Sequence, residues 1–158
     1  MKQAYIAFGA NLSNPRETLM KAVTALGEAG FLIDNLSSLW TSPAWPAGSD
    51  APDYINAVIA ARTTLEAPLL MQCLLEIEMR LGRVRSARNA PRVIDLDLID
   101  YDGQVRTDPH CTLPHPRMTD RAFVLLPLQE IAPQWVHPDG TDLADLLAKL
   151  DLSQTRQT

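Results

Sequence analysis

Two aspartates on a short apolar segment are the residues of this chain best suited to chemistry. From Val93 to Ile99 the sequence is β-branched or aliphatic except at Asp95 and Asp97. Residues two apart on a strand share a face, so both carboxylates point one way and the intervening aliphatic side chains enter a core. Two strand steps separate their Cα atoms by roughly 6.6 Å, and both carboxylates can then reach a pair of ions about 3.5 to 4 Å apart. Such hard oxygen ligands suit Mg²⁺.

A cationic stretch directly precedes this acidic strand. Its four arginines are Arg83, Arg85, Arg88 and Arg92. Guanidinium groups grip phosphate oxygens in a planar and often bidentate fork. An Asp-x-Asp alone is equally consistent with a solvated strand face, and arginines alone with a solvated loop. Together they supply most of what a metal-nucleotide phosphoryl transfer site requires.

Further polar and aromatic residues could complete such a site. A predicted strand from Tyr54 to Thr64 places Tyr54 and Asn56 on one face, where they could stack on and hydrogen-bond a flat heterocycle. They could equally be a core tyrosine and a turn-capping asparagine. Glu78 lies near the end of a predicted helix and could face the site or solvent. His115 lies between prolines, ahead of Arg117 and Arg121, which makes a phosphate-facing role reasonable.

Composition limits the class of protein. The chain has 158 residues, 46% of them hydrophobic and 21% charged, and a formal net charge of -5. This size predicts one domain, residues 1–158, and the negative charge disfavours nucleic-acid binding. Cys73 and Cys111 show no metal or redox spacing. The sequence contains no apolar run that approaches a membrane span and no signal peptide, so we expect a cytoplasmic, monomeric protein with no membrane partner.

The predicted elements follow the order strand, helix, strand, strand, helix, strand. This order predicts an α+β fold with a ferredoxin-like core, an antiparallel or mixed sheet, an appended hairpin and helices packed on the sheet. We expect one strand from Phe31 to Trp40, and a hairpin in which Asp102-Gly103 joins the acidic strand to a return strand at 104–106. Asp120 is a candidate cap for a short helix starting at Arg121. The last residues, 153–158, are expected to fray.

Six segments in order resemble the 6-hydroxymethyl-7,8-dihydropterin pyrophosphokinase family. The central one, Arg88-Asn-Ala-Pro-Arg-Val-Ile-Asp-Leu-Asp-Leu-Ile, is similar to the family signature. The others are Tyr5-Ile-Ala-Phe-Gly-Ala-Asn-Leu, Pro52-Asp-Tyr-Ile-Asn-Ala-Val, Glu76-Ile-Glu-Met-Arg-Leu-Gly-Arg, Pro114-His-Pro-Arg-Met and Arg121-Ala-Phe-Val-Leu-Leu-Pro-Leu. The resemblance implies a folate-pathway enzyme that transfers pyrophosphate from ATP to a pterin alcohol and releases AMP.

The resemblance also implies roles for individual residues. Two Mg²⁺ ions would be held by Asp95 and Asp97, which with Arg83 and Arg92 form the catalytic set. ATP would be bound by Glu78, Arg83, Arg85, Arg92, Thr112, His115 and Arg121. The pterin would lie between Tyr54 and Phe123 and be read by Asn56, with Pro43 and Trp45 as further candidates. Transfer would be direct and in line, because no nucleophile with an adjacent base accompanies these residues.

The sequence departs from the family pattern in two loops, and two other functions stay open. Asn89-Ala90 stands where the family has Trp-Gly, and Trp45 replaces a smaller residue within 42–48. One alternative is another Mg²⁺-dependent phosphoryl or nucleotidyl transferase, which would form ADP or a nucleotidylated product. The other is a non-catalytic ferredoxin-like binding module, which would not bind ATP in a magnesium-dependent way.

Overall fold

An antiparallel sheet forms the centre of the molecule. The computed structural model describes residues 1–44, 48–83 and 92–158. The strands of this sheet are β1 (Lys2–Ala10), β2 (Leu32–Leu36), β3 (Trp40–Ser42), β4 (Tyr54–Thr63), β5 (Asp95–Tyr101) and β8 (Arg156–Gln157). They lie in the order β5-β1-β4-β3-β8, and β2 also pairs with β4. This confirms the predicted ferredoxin-like core.

Helices cover both faces of the sheet. α1 (Pro15–Glu28) and α2 (Ala67–Arg80) bury leucines against one face, where Ile6, Phe8 and Leu96 contribute to the same core. α3 (Ala122–Ile131) and α4 (Leu143–Ala148) form a second core with Val58 and Ile99 on the opposite face. Asp95 and Asp97 face this second side of the sheet, close to the start of α3.

Local signals in the sequence set the start of α1. Asn14 precedes the helix with extended backbone angles, and its side-chain oxygen accepts a hydrogen bond from the Glu17 N–H. Pro15 occupies the first turn, where its missing N–H costs nothing. Asn14 is therefore the N-cap of α1.

The acidic strand alternates as its sequence predicts. Ile94, Leu96 and Leu98 are buried in the first core, whereas Asp95 and Asp97 face the opposite side and remain partly exposed. A register shift opposite Tyr5 and Ile6 follows these aspartates. Because of this irregularity the Ile99 side chain packs in the second core, whereas the Tyr101 side chain packs in the first core.

The predicted strand from Phe31 to Trp40 is wrong, because the chain forms two strands, β2 and β3, separated at Ser37. The Ser37 hydroxyl accepts from the Val58 N–H, and the next N–H, that of Ser38, donates to the Glu130 carboxylate. The Ser37 N–H still donates to the Val58 carbonyl, and side-chain partners take over beside this bond. The break lets β3 continue toward the pocket.

The hairpin is also placed differently from the prediction. Asp102 and Gly103 both have positive φ, as a tight two-residue turn requires. The segment after them does not return along β5; β6 (Arg106–Asp108) pairs instead with β7 (Cys111–Leu113). The His115 N–H donates to the Ile99 carbonyl, so the connection after β7 contacts β5 there.

The predicted cap of α3 is wrong, and the last residues of the chain pair with the sheet. Residue 121 precedes α3 with extended backbone angles and no side-chain cap, so Asp120 lies one position too early to cap the helix. The final residues form β8 against β3, because the Thr158 N–H donates to the Leu39 carbonyl and the Thr41 and Thr158 hydroxyls are 2.7 Å apart. Among the described helices none is long and apolar enough to span a membrane.

Candidate active site

A cavity of about 270 Å³ opens where β1, β4 and β5 meet the start of α3. Its wall combines acids, arginines and aromatic rings. The lining residues are Ala7, Phe8, Gly9, Ser42, Pro43, Tyr54, Asn56, Arg92, Asp95, Asp97, Arg117, Arg121, Phe123 and Val124. The sheet therefore brings most of the predicted site residues to a single pocket.

Asp95 is held by two arginines. Its Oδ1 lies 3.1 Å from Arg83 Nη1 and 3.2 Å from Arg92 Nη1. Neutralisation by two guanidinium groups compensates for placing an acid on a largely apolar strand. Arg92 is also a lining residue, so the same cation can face a ligand in the cavity.

Asp97 is less well paired. Its Oδ2 lies 3.7 Å from Arg121 Nη1 and 3.9 Å from His115 Nε2, and no described side chain or backbone group donates a hydrogen bond to it. Burial, followed by repulsion from Asp95, raises the pKa of Asp97 to about 6. A carboxylate destabilised in this way would gain from a nearby cation.

The two aspartates therefore fit a magnesium site. Among the described residues no three His, Cys, Asp or Glu side chains cluster as a protein-only metal cage would require. Mg²⁺ in phosphate-transfer enzymes is bound by one or two carboxylates together with substrate phosphates and water. The Asp97 carboxylate, which lacks a close cationic partner among the described residues, and the adjacent Asp95 match that donor set.

Glu78 lies behind this strand. Its side chain is 2% exposed, and its Oε2 accepts from the Leu96 N–H and from Arg83 Nη1, each at 2.6 Å. Burial is the main reason why the pKa of Glu78 is raised to about 7. Because Arg83 also contacts Asp95, Glu78 fixes the position of an arginine at the site. Direct contact with ATP stays a prediction for this residue.

His115 presents a defined tautomer toward Asp97. The Arg117 backbone N–H donates to His115 Nδ1, so the ring nitrogen that carries the proton in neutral His115 is Nε2, the one nearer Asp97. Burial and the positive charge of Arg121 lower the pKa of His115 to about 4. The ring is consequently a neutral hydrogen-bond donor at pH 7.

Two aromatic rings also line the cavity. Tyr54 comes from β4 and Phe123 from the first turn of α3, and both are lining residues. The Arg121 guanidinium lies 5.6 Å from the centroid of the Phe123 ring, which is a cation–π contact. Burial raises the pKa of Tyr54, which stays a neutral phenol.

Asn56 lies on β4, two residues after Tyr54, and also lines the cavity. It is 3% exposed, and its amide nitrogen donates to Ser42 Oγ at 2.9 Å and to the Trp40 carbonyl at 3.2 Å. The residue is therefore oriented by β3. Its carboxamide can act on a ligand in the cavity only in that orientation.

Asn11 connects the backbone at Arg92 with the backbone at Pro52. Its Oδ1 accepts from the Arg92 N–H at 2.9 Å, and its amide nitrogen donates to the Pro52 carbonyl at 3.1 Å. The Asn11 N–H also donates to the Arg92 carbonyl. The turn after β1 thus holds the backbone of Arg92 close to the segment that leads into Tyr54.

The structure brings many, but not all, of the predicted site residues to the cavity wall. The pocket contains Pro43, Tyr54, Asn56, Arg92, Asp95, Asp97, Arg121 and Phe123. Arg83 and His115 are not lining residues, but Arg83 contacts Asp95 and His115 lies near Asp97. Thr112 is exposed on β7, where its hydroxyl donates to the Asp108 carbonyl, and it does not line the cavity. Trp45, Arg85, Arg88 and the altered Asn89-Ala90 lie outside the described residues.

Sequence reasoning missed several residues that shape the pocket. Ser42 was considered only as the start of a variable loop, yet its hydroxyl holds Asn56. Arg117 lines the cavity, and its place after His-Pro was the available signal. Gly9 leaves room beside Asn56, since a Cβ there would lie 3.5 Å from Asn56 Oδ1. No local pattern identifies that proximity, because it depends on pairing between β1 and β4.

The fold and pocket define an α+β domain with a cavity lined by aspartates, arginines and aromatic rings. Residues 5–133 match the family model for 7,8-dihydro-6-hydroxymethylpterin-pyrophosphokinase. A 2-amino-4-hydroxy-6-hydroxymethyldihydropteridine pyrophosphokinase from Pseudomonas aeruginosa is 41% identical over 153 residues, covering 94% of this chain and 91% of that protein. One of the same name from Synechocystis is 39% identical over 150 residues, covering 94% of this chain and 76% of the relative.

Solved structures agree on the fold. The Plasmodium falciparum HPPK-DHPS structure with pteroate superposes with a TM-score of 0.70 at 13% identity, covering 94% of this chain and 42% of that longer chain. The chain thus spans less than half of that protein. On the strength of the family match and the close relatives, the chain belongs to the 7,8-dihydro-6-hydroxymethylpterin-pyrophosphokinase family.

Proposed function

We propose that this pocket transfers pyrophosphate from ATP to 6-hydroxymethyl-7,8-dihydropterin, with the phosphates at the acidic end and the pterin at the aromatic end. Family membership makes the chain a pyrophosphokinase of folate biosynthesis. The observation that carries the assignment of the pocket is the under-neutralised Asp97 beside Asp95, in a wall that also contains Tyr54 and Phe123. We propose that residues 1–158 act as one monomeric domain in the cytoplasm.

At the acidic end, Asp95 and Asp97 would hold two Mg²⁺ ions together with the ATP phosphates. Bound there, Mg²⁺ would neutralise the triphosphate and favour ionisation of the attacking hydroxyl. Arg92 and Arg121 donate to phosphate oxygens, while Arg83 keeps Asp95 in place. The Nε2–H of neutral His115 adds a donor that brings no further charge.

Transfer is a single in-line displacement. The pterin hydroxymethyl oxygen forms a bond to the β-phosphorus, the bond from that phosphorus to the oxygen bridging it to the α-phosphorus breaks, and AMP leaves with the bridging oxygen. The hydroxyl proton is lost to solvent. The positions of Tyr54 and Phe123 support this arrangement, because rings on β4 and α3 can hold the pterin in the same cavity as Asp97.

Metal binding should depend on the protonation of Asp97. Because the pKa of this carboxyl is raised to about 6, the ionised form that binds a cation is lost as the pH falls through that value. We expect Mn²⁺ affinity in the presence of α,β-methylene-ATP, measured by electron paramagnetic resonance, to fall between pH 7 and pH 5. An Asp97→Asn variant should bind weakly throughout. Wild-type affinity that is constant over this range would refute the metal assignment.

Removing the Tyr54 or Phe123 ring should mainly weaken binding of the pterin. Stacking of a flat heterocycle on an aromatic ring contributes roughly 1–3 kcal/mol per ring, so Tyr54→Ala and Phe123→Ala should each raise the KM for the pterin by about 5- to 150-fold. The KM for ATP should change much less with Tyr54→Ala, because the neutral Tyr54 phenol brings no charge to the phosphates. Equal increases of both KM values in Tyr54→Ala would show that the pterin lies elsewhere.

A further inference from the structure

We propose that Ser42 is a specificity-determining positioning residue, which fixes the Asn56 carboxamide with its oxygen toward the pocket. The inference rests on the proposed function, because it takes Asn56 to contact the pterin. Ser42 itself is 4% exposed and acts through Asn56.

The wall of the pocket uses the donor side of the Asn56 amide. Its nitrogen donates to the Trp40 carbonyl at 3.2 Å and to Ser42 Oγ at 2.9 Å. A carbonyl can only accept, so rotating the amide by half a turn would place two acceptors face to face. The Ser42 hydroxyl provides the second acceptor, and both amide hydrogens then have a partner on β3.

The side-chain oxygen of Asn56, Oδ1, can accept a hydrogen bond from a ligand. Among the described residues none donates to Asn56 Oδ1, and this oxygen lies beside Gly9, where a Cβ would approach to 3.5 Å. Gly9 and Asn56 both line the cavity. The pocket therefore selects a flat heterocycle with N–H donors on its edge, such as a 2-amino-4-oxo pyrimidine ring. A ligand without such a donor would leave a buried oxygen unpaired.

The position of Ser42 is itself fixed from a second element. The Glu130 carboxylate on α3 accepts from Trp40 Nε1 at 3.0 Å and from the Ser38 N–H at 2.9 Å. These bonds hold the start of β3 against the helix that carries Phe123. Ser42 thus orients Asn56 relative to the aromatic wall as well as to the sheet.

The test is a double-mutant cycle on binding of 6-hydroxymethylpterin, followed by its fluorescence with α,β-methylene-ATP present. Loss of one hydrogen bond predicts that Ser42→Ala weakens pterin binding by about 3- to 12-fold, while affinity for the ATP analogue is unchanged. In an Asn56→Ala background, Ser42→Ala should have no further effect. Thr41→Ala is the matched control: it removes a hydroxyl from the same strand that meets Thr158 instead of Asn56, and should leave pterin binding unchanged.

The outcomes separate this inference from the proposed function. If Asn56→Ala weakens pterin binding but Ser42→Ala does not, or if Ser42→Ala costs the same in both backgrounds, the role of Ser42 is overturned and the pterin site stands. If Asn56→Ala binds the pterin as tightly as wild type, the pterin assignment and this inference both fall. Thermal unfolding of each variant confirms that folded protein is compared.

Discussion

Replacing Asp97 by alanine is expected to lower kcat by about 10²- to 10³-fold or more, the range found when one group that stabilises transition-state charge is removed. Asp97 lies on the pocket face of β5, and its carboxylate has no hydrogen-bond donor among the described residues. Its charge is therefore available to a cation and to the phosphates. Turnover measured as AMP release at saturating ATP and pterin gives the result directly.

Replacing Asp97 by asparagine should stabilise the protein in the absence of ligands. The pKa of Asp97 is raised to about 6 by burial and by Asp95, so its ionised form opposes folding. For such a group the folded state binds more protons than the unfolded state between about pH 4 and pH 6, and stability falls as the pH rises through that window. Asp97→Asn should thus unfold at a higher temperature than wild type at pH 8, and the difference should vanish near pH 4.

A matched control lies on the same strand. Asp100 is buried outside the pocket, where its Oδ2 accepts from Trp135 Nε1 and its Oδ1 has no partner among the described residues. Asp100→Asn removes a carboxylate from β5 without touching the cavity, so turnover should stay close to wild type. Normal turnover by Asp97→Ala, or an equal loss in both variants, would contradict the role given to Asp97.

The second large effect is expected from Arg83→Ala, which should lower kcat by about 10²-fold or more and destabilise the fold by up to about 3 kcal/mol. Arg83 is the cation between Glu78 and Asp95, at 2.6 and 3.1 Å. Without it Asp95 loses one of two guanidinium partners, and among the described residues the buried Glu78 carboxylate keeps only the Leu96 N–H. Urea unfolding and steady-state kinetics measure the two losses separately.

The loss of stability should depend on pH in a known direction. Glu78 already has a pKa raised to about 7, chiefly by burial, and removal of Arg83 raises it further. A carboxyl with a raised folded pKa is tolerated when protonated and opposes folding when ionised. The deficit of Arg83→Ala relative to wild type should therefore be small at pH 6 and larger at pH 9.

A double variant distinguishes folding from catalysis. Glu78→Gln keeps an acceptor for the Leu96 N–H but removes the buried charge, so Arg83→Ala/Glu78→Gln should recover stability at pH 9 relative to Arg83→Ala. Its kcat should stay low, because Asp95 still lacks the guanidinium. Recovery of activity along with stability would show that Arg83 acts only through the fold.

Local sequence patterns were sufficient to predict the main elements and the acidic strand. Alternation from Val93 to Ile99 determines which face carries Asp95 and Asp97, since the period of a strand leaves only one way to bury the aliphatic residues. The Asn14 cap and the ferredoxin-like order are similarly encoded by neighbouring residues. The family resemblance added the residues proposed to contact the pterin, a role that residue types alone left open.

The remaining features depend on contacts between distant segments. Ser37 ends β2 because it meets Val58, and the last residues form β8 because they meet Leu39 and Thr41. The role of Ser42 follows from its place opposite Tyr54 in the β3–β4 register, next to Asn56. No periodicity within a single segment contains this information.

The most direct test of the pocket as the transfer site is phosphorus NMR of wild type and Asp97→Ala, each with ATP, Mg²⁺ and 6-hydroxymethyl-7,8-dihydropterin. Wild type should form AMP and pterin diphosphate in equal amounts, and Asp97→Ala should form neither at a comparable rate while remaining folded. ADP in place of AMP, or unchanged formation of both products by Asp97→Ala, would contradict pyrophosphate transfer at this pocket.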